Sequence, residues 1–279
     1  MSRKVLTTIL FAGILAFLTG CRAKRTPAPE PEPTAPPARA TLKISGSGTV
    51  VPILRAIAPA FEADVPGFSL QVLAGTDTGG GVRGVAEGIL DVAAMDRSPK
   101  DEETAQGLEY IEFGQSGVAV LVHMDVGVRA LTTVQVKAIF SGEVTNWSKV
   151  GGSNLDIVLY VRDPGDSSTK VLRQTIFGDT PFPETAHVLI SQADMQVAVA
   201  KTPGSVGFGS WPSALANRTN VDAVILDGVA PSDPIYSILI PIGVGYLVER
   251  KADMQPLINW LLSEQGRVAL REFDVLTVQ

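Results

Sequence analysis

The sequence predicts an α/β fold. Strand-like apolar runs alternate with segments of helical period from residue 41 towards the end of the chain. Turns rich in Gly, Ser and Thr recur between them, each followed by a helical pattern. Val118–Val122 is apolar throughout, as a strand covered on both faces must be. The part after residue 40 is long enough for two lobes or one large domain.

Leu42–Ser45 reads as a first strand, broken by Gly46-Ser47-Gly48-Thr49. Pro52 falls in the first turn of the next helix, where its missing N–H is harmless. Ile53, Leu54, Ile57 and Phe61 give that helix an apolar face, ending near Pro66-Gly67. Phe68–Ala74 is the second strand. It enters Gly75–Asp96 (GTDTGGGVRGVAEGILDVAAMD), the stretch around which the chain is organised. A Gly-rich turn there leads to a helix with Val82, Val85 and Ile89 on one face, then an apolar burst ending at Asp96. Such a βαβ unit presents free amides and hydroxyls at a helix N-terminus, where an anion is stabilised.

Asp101–Gln106 reads as a short polar helix, and Tyr110–Phe113 and Val118–Val122 as strands. Leu131–Val150 is expected to be helical, with Val134, Val136, Ile139 and Phe140 inward and Gly142 closing it. Asp156–Val161 is a strand ending in Arg162, and Asp163–Thr169 turns into a helix carrying Val171, Leu172 and Ile176. Ser191-Gln192-Ala193-Asp194 has the form of a helix start. Ser205–Phe208 and Val221–Leu226 follow as strands, then Ile238–Val248, an apolar segment interrupted by Pro241 and Gly243. Met254, Leu257, Ile258, Leu261 and Leu262 make the clearest amphipathic helix, continuing towards Phe273.

Ahead of these elements, Arg3 and Lys4 form a basic head before an apolar run, Val5–Leu18, that is short for a membrane span. Leu18-Thr19-Gly20-Cys21 resembles the bacterial lipoprotein box, which implies a signal peptide over residues 1–20 and acylation of Cys21. Cys21 is the single cysteine, so no disulfide forms within the chain and no thiol remains for catalysis. Pro-rich residues 21–40 form a tether without the periodic apolar positions a core requires. Loss of residues 1–20 removes Arg3 and Lys4 and no acid, leaving 21 basic against 29 acidic residues. That balance argues against nucleic acid as partner and requires an anion site to be local, made of dipoles and a few charges.

Other chemistries fit less well. Gly79-Gly80-Gly81-Val82-Arg83-Gly84 matches a dinucleotide fingerprint by letter, but the Thr-Asp-Thr before it lengthens the turn. Gly114-Gln115-Ser116-Gly117-Val118 lacks the last glycine of a hydrolase elbow. His123 and His187 stand apart, so no catalytic or metal site is expected, and Trp147, Trp211 and Trp260 read as packing residues.

GSGT, GTDTGGGV, DVAAMD, LTTVQVKAIFSGEVTNWSKVGG and an Arg-led Gly/Ser/Thr loop occur in that order, and the series resembles the phosphate-binding (PstS-type) receptors of ABC importers. The likeness covers most of Thr41–Phe273 and is sharpest in IFSGEVTNW. It implies a two-lobed periplasmic-binding-protein-like type II fold with crossover strands near Val118–His123 and Ile242–Val248. Lobe one is then 41–119 plus 246–279, and lobe two 120–245. The implied ligand positions are Thr49, the Val50 amide, Thr78, Gly79, Gly80 and Asp96 from lobe one, and Arg162, Asp166, Ser167 and Ser168 from lobe two. Asp96 discriminates: a carboxylate in an anion site demands a ligand that donates a proton, which phosphate does and sulfate does not.

The departure from the family's R-x-x-G-S-G-T is Asp166, where a carboxylate replaces a hydroxyl. It caps the following helix, pairs with Arg162, or accepts a second ligand proton. The resemblance implies a non-enzymatic, monomeric receptor, lipid-anchored on the periplasmic or cell-surface face of a bacterial membrane. Its partners are inorganic phosphate or a similar oxyanion and an importer permease, with no cofactor. The alternatives are a receptor for sulfate, molybdate or tungstate, or a phosphate sensor or scaffold without transport.

Overall fold

Alternating burial from Thr41 to Ile44 and the glycine at 46 set the first strand of the fold. β1 (Ala40–Gly46) leads to α1 (Val50–Asp64), β2 (Phe68–Val72), α2 (Thr78–Ala86), β3 (Val92–Met95), α3 (Asp101–Ala105) and β4 (Leu108–Val122). The computed structural model describes residues 40–278; the signal-like segment, Cys21 and most of the tether lie outside the described residues. β1 lies between β2 and β3, parallel to both, so the chain leaves it to one side and returns on the other. Such a switch opens a crevice beyond the carboxyl ends of the strands. Gly46 closes β1 with φ 138°, and a Cβ there would stand 2.3 Å from the Ala94 carbonyl oxygen, so only glycine fits.

The second half repeats the plan. β5 (Ala130–Leu131), α4 (Thr133–Phe140), β6 (Val158–Arg162) and α5 (Ser167–Leu172) precede β7 (His187–Leu189), α6 (Gln192–Lys201), β8 (Ser205–Ser210) and α7 (Trp211–Ala216). β6 lies between β7 and β8, again parallel to both. Short β9 (Asp222–Ala223) and β10 (Ile225–Leu226) follow, then β11 (Leu239–Leu247), α8 (Lys251–Leu262), α9 (Glu264–Arg271) and β12 (Leu276–Thr277).

β4 and β11 pair antiparallel along the length of β11 and carry the sheet from one half to the other. The fold is thus α/β and two-lobed, with two strands crossing between lobes. One core gathers Ile44, Ile53, Phe61, Phe113, Ile242 and Leu261; the other gathers Val120, Ile139, Phe140, Trp147, Phe208 and Ile240. Core membership changes between Phe113 and Val118 on β4 and between Ile240 and Ile242 on β11. Smaller clusters cover the opposite faces: Val82, Val85, Leu90 and Met95 in the first half, Leu121, Met195 and Val199 in the second.

Several local expectations change. The strands anticipated at 110–113 and 118–122 are one, because Gly114 and Gly117 stay extended and let Val275, Leu276 and Pro231 approach the backbone closely. Ile89 is 60% exposed: Gly88 turns the chain with φ 68° after α2 ends, and Leu90 enters the core instead. Val134 is exposed rather than inward, because α4 is only Thr133–Phe140, capped by Thr132 and closed at Gly142 with φ 79°. The last helix is two. Ser263 ends α8 and caps α9 by accepting the Gly266 amide, and Gly266 lies so close to the Trp260 carbonyl that a Cβ would stand 2.0 Å from it. Val221–Leu226 is two short strands rather than one, β9 pairing with β4 and β10 with β5.

Candidate functional site

The starts of α1, α2, α5 and α6 and the end of β3 lie at the carboxyl ends of the parallel strands. A Cβ on Gly48, before α1, would stand 3.5 Å from the Gln192 Cβ at the start of α6, so the two halves meet at these loops. Close approach recurs beneath them. A Cβ on Gly81 would stand 2.8 Å from the Gly46 Cα, and one on Gly209 would stand 2.3 Å from the Gln192 Nε2.

On the lobe-one side, Asp77 caps α2 by accepting the Gly80 amide at 2.5 Å. That frees the Thr78 hydroxyl from capping; it donates to the Asp96 Oδ1 at 2.6 Å and accepts from the Asp96 amide at 3.3 Å. The Gly80 amide is therefore engaged, whereas the Thr78 and Gly79 amides have no hydrogen bond among the described residues. The Asp96 Oδ2 likewise has none. Asp96 does not cap α3, whose start is held by Glu103 bonding the Lys100 amide at 2.8 Å. Glu103 also takes the neighbouring Arg97 guanidinium through two 2.8 Å bonds, turning that cation away. Thr49, buried, makes no capping bond, and the Val50 amide donates to the Ser47 carbonyl at 3.1 Å.

On the lobe-two side, Asp166 both caps and pairs. Its Oδ1 accepts the Thr169 amide at 3.0 Å, and its Oδ2 lies 2.9 Å from an Arg162 terminal nitrogen. The two side chains are 10% and 13% exposed. Burial pushes the Asp166 carboxyl above its usual pKa, against the pull of Arg162 and the Thr169 amide, and the Asp96 charge pushes the same way. That coupling places the two carboxylates within electrostatic reach of each other. Ser168 is buried, and neither its hydroxyl nor that of Ser167 makes a hydrogen bond among the described residues.

Arg162 is fixed by three groups: Asp166, the Ile190 carbonyl at 3.1 Å and the Gln192 Oε1 at 3.4 Å. Its Nε, and the Nε2 of Gln192, are buried donors without a partner among the described residues. An unpartnered buried donor is expensive, and here two of them are neighbours, joined through the Gln192 Oε1 at 3.4 Å from Arg162. Sequence reasoning missed Gln192. The signal was a fourth strand-to-helix turn, Ser191-Gln192, whose capping serine was recognised but not the side chain after it; Ser191 does accept the Asp194 amide at 3.0 Å.

Among the described residues no group of three or more His, Cys, Asp or Glu is placed to hold a metal. His123 lies 2.6 Å from Asp125, and His187 faces the Tyr160 ring with centroids 5.5 Å apart. Each tryptophan indole N–H has an acceptor: Gly204 for Trp147, Asp274 for Trp211 and Asp64 for Trp260.

Comparison with known proteins gives a family model, the PBP superfamily domain, matching residues 31–247. The phosphate-binding protein PstS of Bacillus subtilis is 30% identical over 70% of this chain, which spans 64% of that relative's length. The protein SphX of Synechococcus elongatus is 26% identical over 83% of this chain and 76% of its own. A Clostridium perfringens substrate-binding protein solved with phosphate bound is 25% identical, with a TM-score of 0.71 over 86% of this chain and all of the other.

Proposed function

The chain belongs to the PBP superfamily, and from that membership we propose that it is a non-enzymatic extracytoplasmic receptor binding inorganic phosphate between its lobes for an ABC importer. One observation carries the reading: the neighbouring donors of Arg162 and Gln192, buried and without a partner among the described residues. Desolvating a tetrahedral oxyanion is costly unless nearly every lone pair meets a donor. The Arg162 Nε, the Gln192 Nε2, the Thr78 and Gly79 amides and the hydroxyls of Thr49, Ser167 and Ser168 make up that complement. The Val50 and Gly80 amides, engaged within their own turns, contribute less. The open Asp96 Oδ2 takes a P–OH proton, which favours phosphate over sulfate.

The relatives named for phosphate binding support the same ligand. Closure would hinge on β4 and β11, where core membership changes. Anchoring belongs to the proposal too: no helix among the described residues is long and apolar enough to cross a membrane, and acylated Cys21 with its tether would hold the receptor at the surface. Calorimetry with phosphate, sulfate, molybdate and tungstate tests the ligand. Phosphate should bind at least 10³-fold more tightly than sulfate, by the rough scale on which sites reject a ligand lacking a required proton. Preference for sulfate or a metal oxyanion would overturn it.

A further inference from the structure

A simple anion receptor has no need of two carboxylates, yet where the loops of the two lobes meet the Asp96 charge acts on Asp166, and Asp166 is paired with the Arg162 guanidinium. Resting on the phosphate reading, we propose that the site selects the monobasic anion, H2PO4⁻, with one P–OH donating to Asp96 and the other to Asp166. Binding above neutral pH then takes up about one proton per phosphate.

The geometry leaves room for both bonds. A carboxylate offers about four lone-pair positions. Asp96 uses one, on Oδ1, for the Thr78 hydroxyl, and its Oδ2 is open. Asp166 commits Oδ1 to the Thr169 amide at 3.0 Å and hydroxyl at 3.4 Å, the Ser168 amide also acts on the carboxylate, and Oδ2, 2.9 Å from Arg162, is the oxygen with a lone pair to offer. The charged groups acting on Asp166 are Arg162 from its own loop and Asp96 from the opposite lobe. α6 contributes Gln192, which is uncharged, and Arg97 beside Asp96 is held by Glu103. Tyr110, on which the Asp96 charge also acts, is kept protonated by burial.

The local balance is therefore one cation against two anions before any ligand enters. A dianion with one proton leaves a bare phosphate oxygen against one carboxylate, a repulsive contact in a dry site. The monoanion turns both contacts into short O–H···O⁻ bonds, among the stronger hydrogen bonds available. Burial of the Asp166 carboxyl, which raises its proton affinity, acts in the same direction. No covalent step is involved; the proton is drawn from solvent and shared between phosphate and carboxylate.

The test is calorimetry of the full-length protein with inorganic phosphate at pH 6.5, 7.5 and 8.5, in buffers of different ionisation enthalpy. The proposal expects affinity to fall about tenfold between pH 7.5 and 8.5, following the monobasic fraction, with about one proton taken up at pH 8.5. Asp166→Asn and Asp166→Ser both keep a residue able to cap α5. Each should bind phosphate with a flat profile over that range and no proton uptake. A flat wild-type profile without uptake, or a variant keeping the wild-type slope, would overturn the assignment to Asp166. No phosphate binding at any pH would instead overturn the receptor reading, and this inference with it.

Discussion

Arg162→Ala is the perturbation whose consequences the structure specifies most fully. Arg162 and Asp166 are both nearly buried, and removing one partner of such a pair costs about 3–5 kcal/mol. Asp166 keeps the Thr169 amide at 3.0 Å, so the lower end, about 3 kcal/mol, applies. For a chain of this size that corresponds to a fall in Tm of about 6–12 °C. The loss should also depend on pH. Burial raises the folded-state pKa of Asp166, and Arg162 opposes that rise. A carboxyl whose folded pKa exceeds its unfolded value of about 3.9 destabilises the fold fully above the folded pKa, and the penalty fades as pH falls towards the unfolded value. Without Arg162 the folded pKa rises further, so the variant's deficit should shrink between pH 7.5 and pH 5. Ligand-free thermal melts of both proteins at the two pH values measure this. A deficit that stays constant or grows on acidification would refute the reasoning. In the same variant the loss of one charge-assisted donor, the Arg162 Nε, about 1.5–3 kcal/mol, should weaken phosphate binding about 10–10²-fold. Unchanged affinity by calorimetry would remove Arg162 from the site.

The other predictions concern neighbours of that residue and one core position. Asp96→Asn keeps an oxygen for the Thr78 hydroxyl but replaces the acceptor on its other arm with a donor. Discrimination against sulfate should fall by at least about tenfold, and titration with both anions decides it. Gln192→Ala removes a neutral donor worth about 0.5–1.5 kcal/mol, so phosphate affinity should drop about 2–10-fold, and an unchanged dissociation constant would place the ligand elsewhere. Trp147→Phe leaves the Gly204 carbonyl without the indole donor that stands 2.8 Å from it, in a fully buried position. Urea unfolding should show a loss of about 2–3 kcal/mol from the unmet acceptor and the lost volume, and a midpoint equal to wild type would contradict the burial.

The α/β class was readable from residue order, because the periods that distinguish strand from helix are local properties of the chain. The same holds for the turns carrying Thr49, Thr78 and Arg162, and for Asp96 at a strand end. What periodicity could not decide was continuity. Gly114 and Gly117 looked like a break between strands, whereas Val275, Leu276 and Pro231 need that bare backbone for close approach. Ile89 and Val134 matched an apolar stripe but fell beyond or outside the packed face, because the helices stop and start according to caps and tertiary contacts.

The fate of hydrogen-bonding groups belonged to the tertiary structure altogether. From sequence, Asp166 capped a helix, paired with Arg162, or awaited a ligand proton; folded, it does the first two at once. Gln192 stands in a strand-to-helix turn that the sequence shows, but its unspent donor appears only where α6 brings its amide beside the Arg162 guanidinium. The sequence by itself determined which chemical groups stand at strand and helix ends. Only the packing of one lobe's loops against the other's decided which of those groups were consumed and which were left open, because that depends on contacts between residues far apart in the chain.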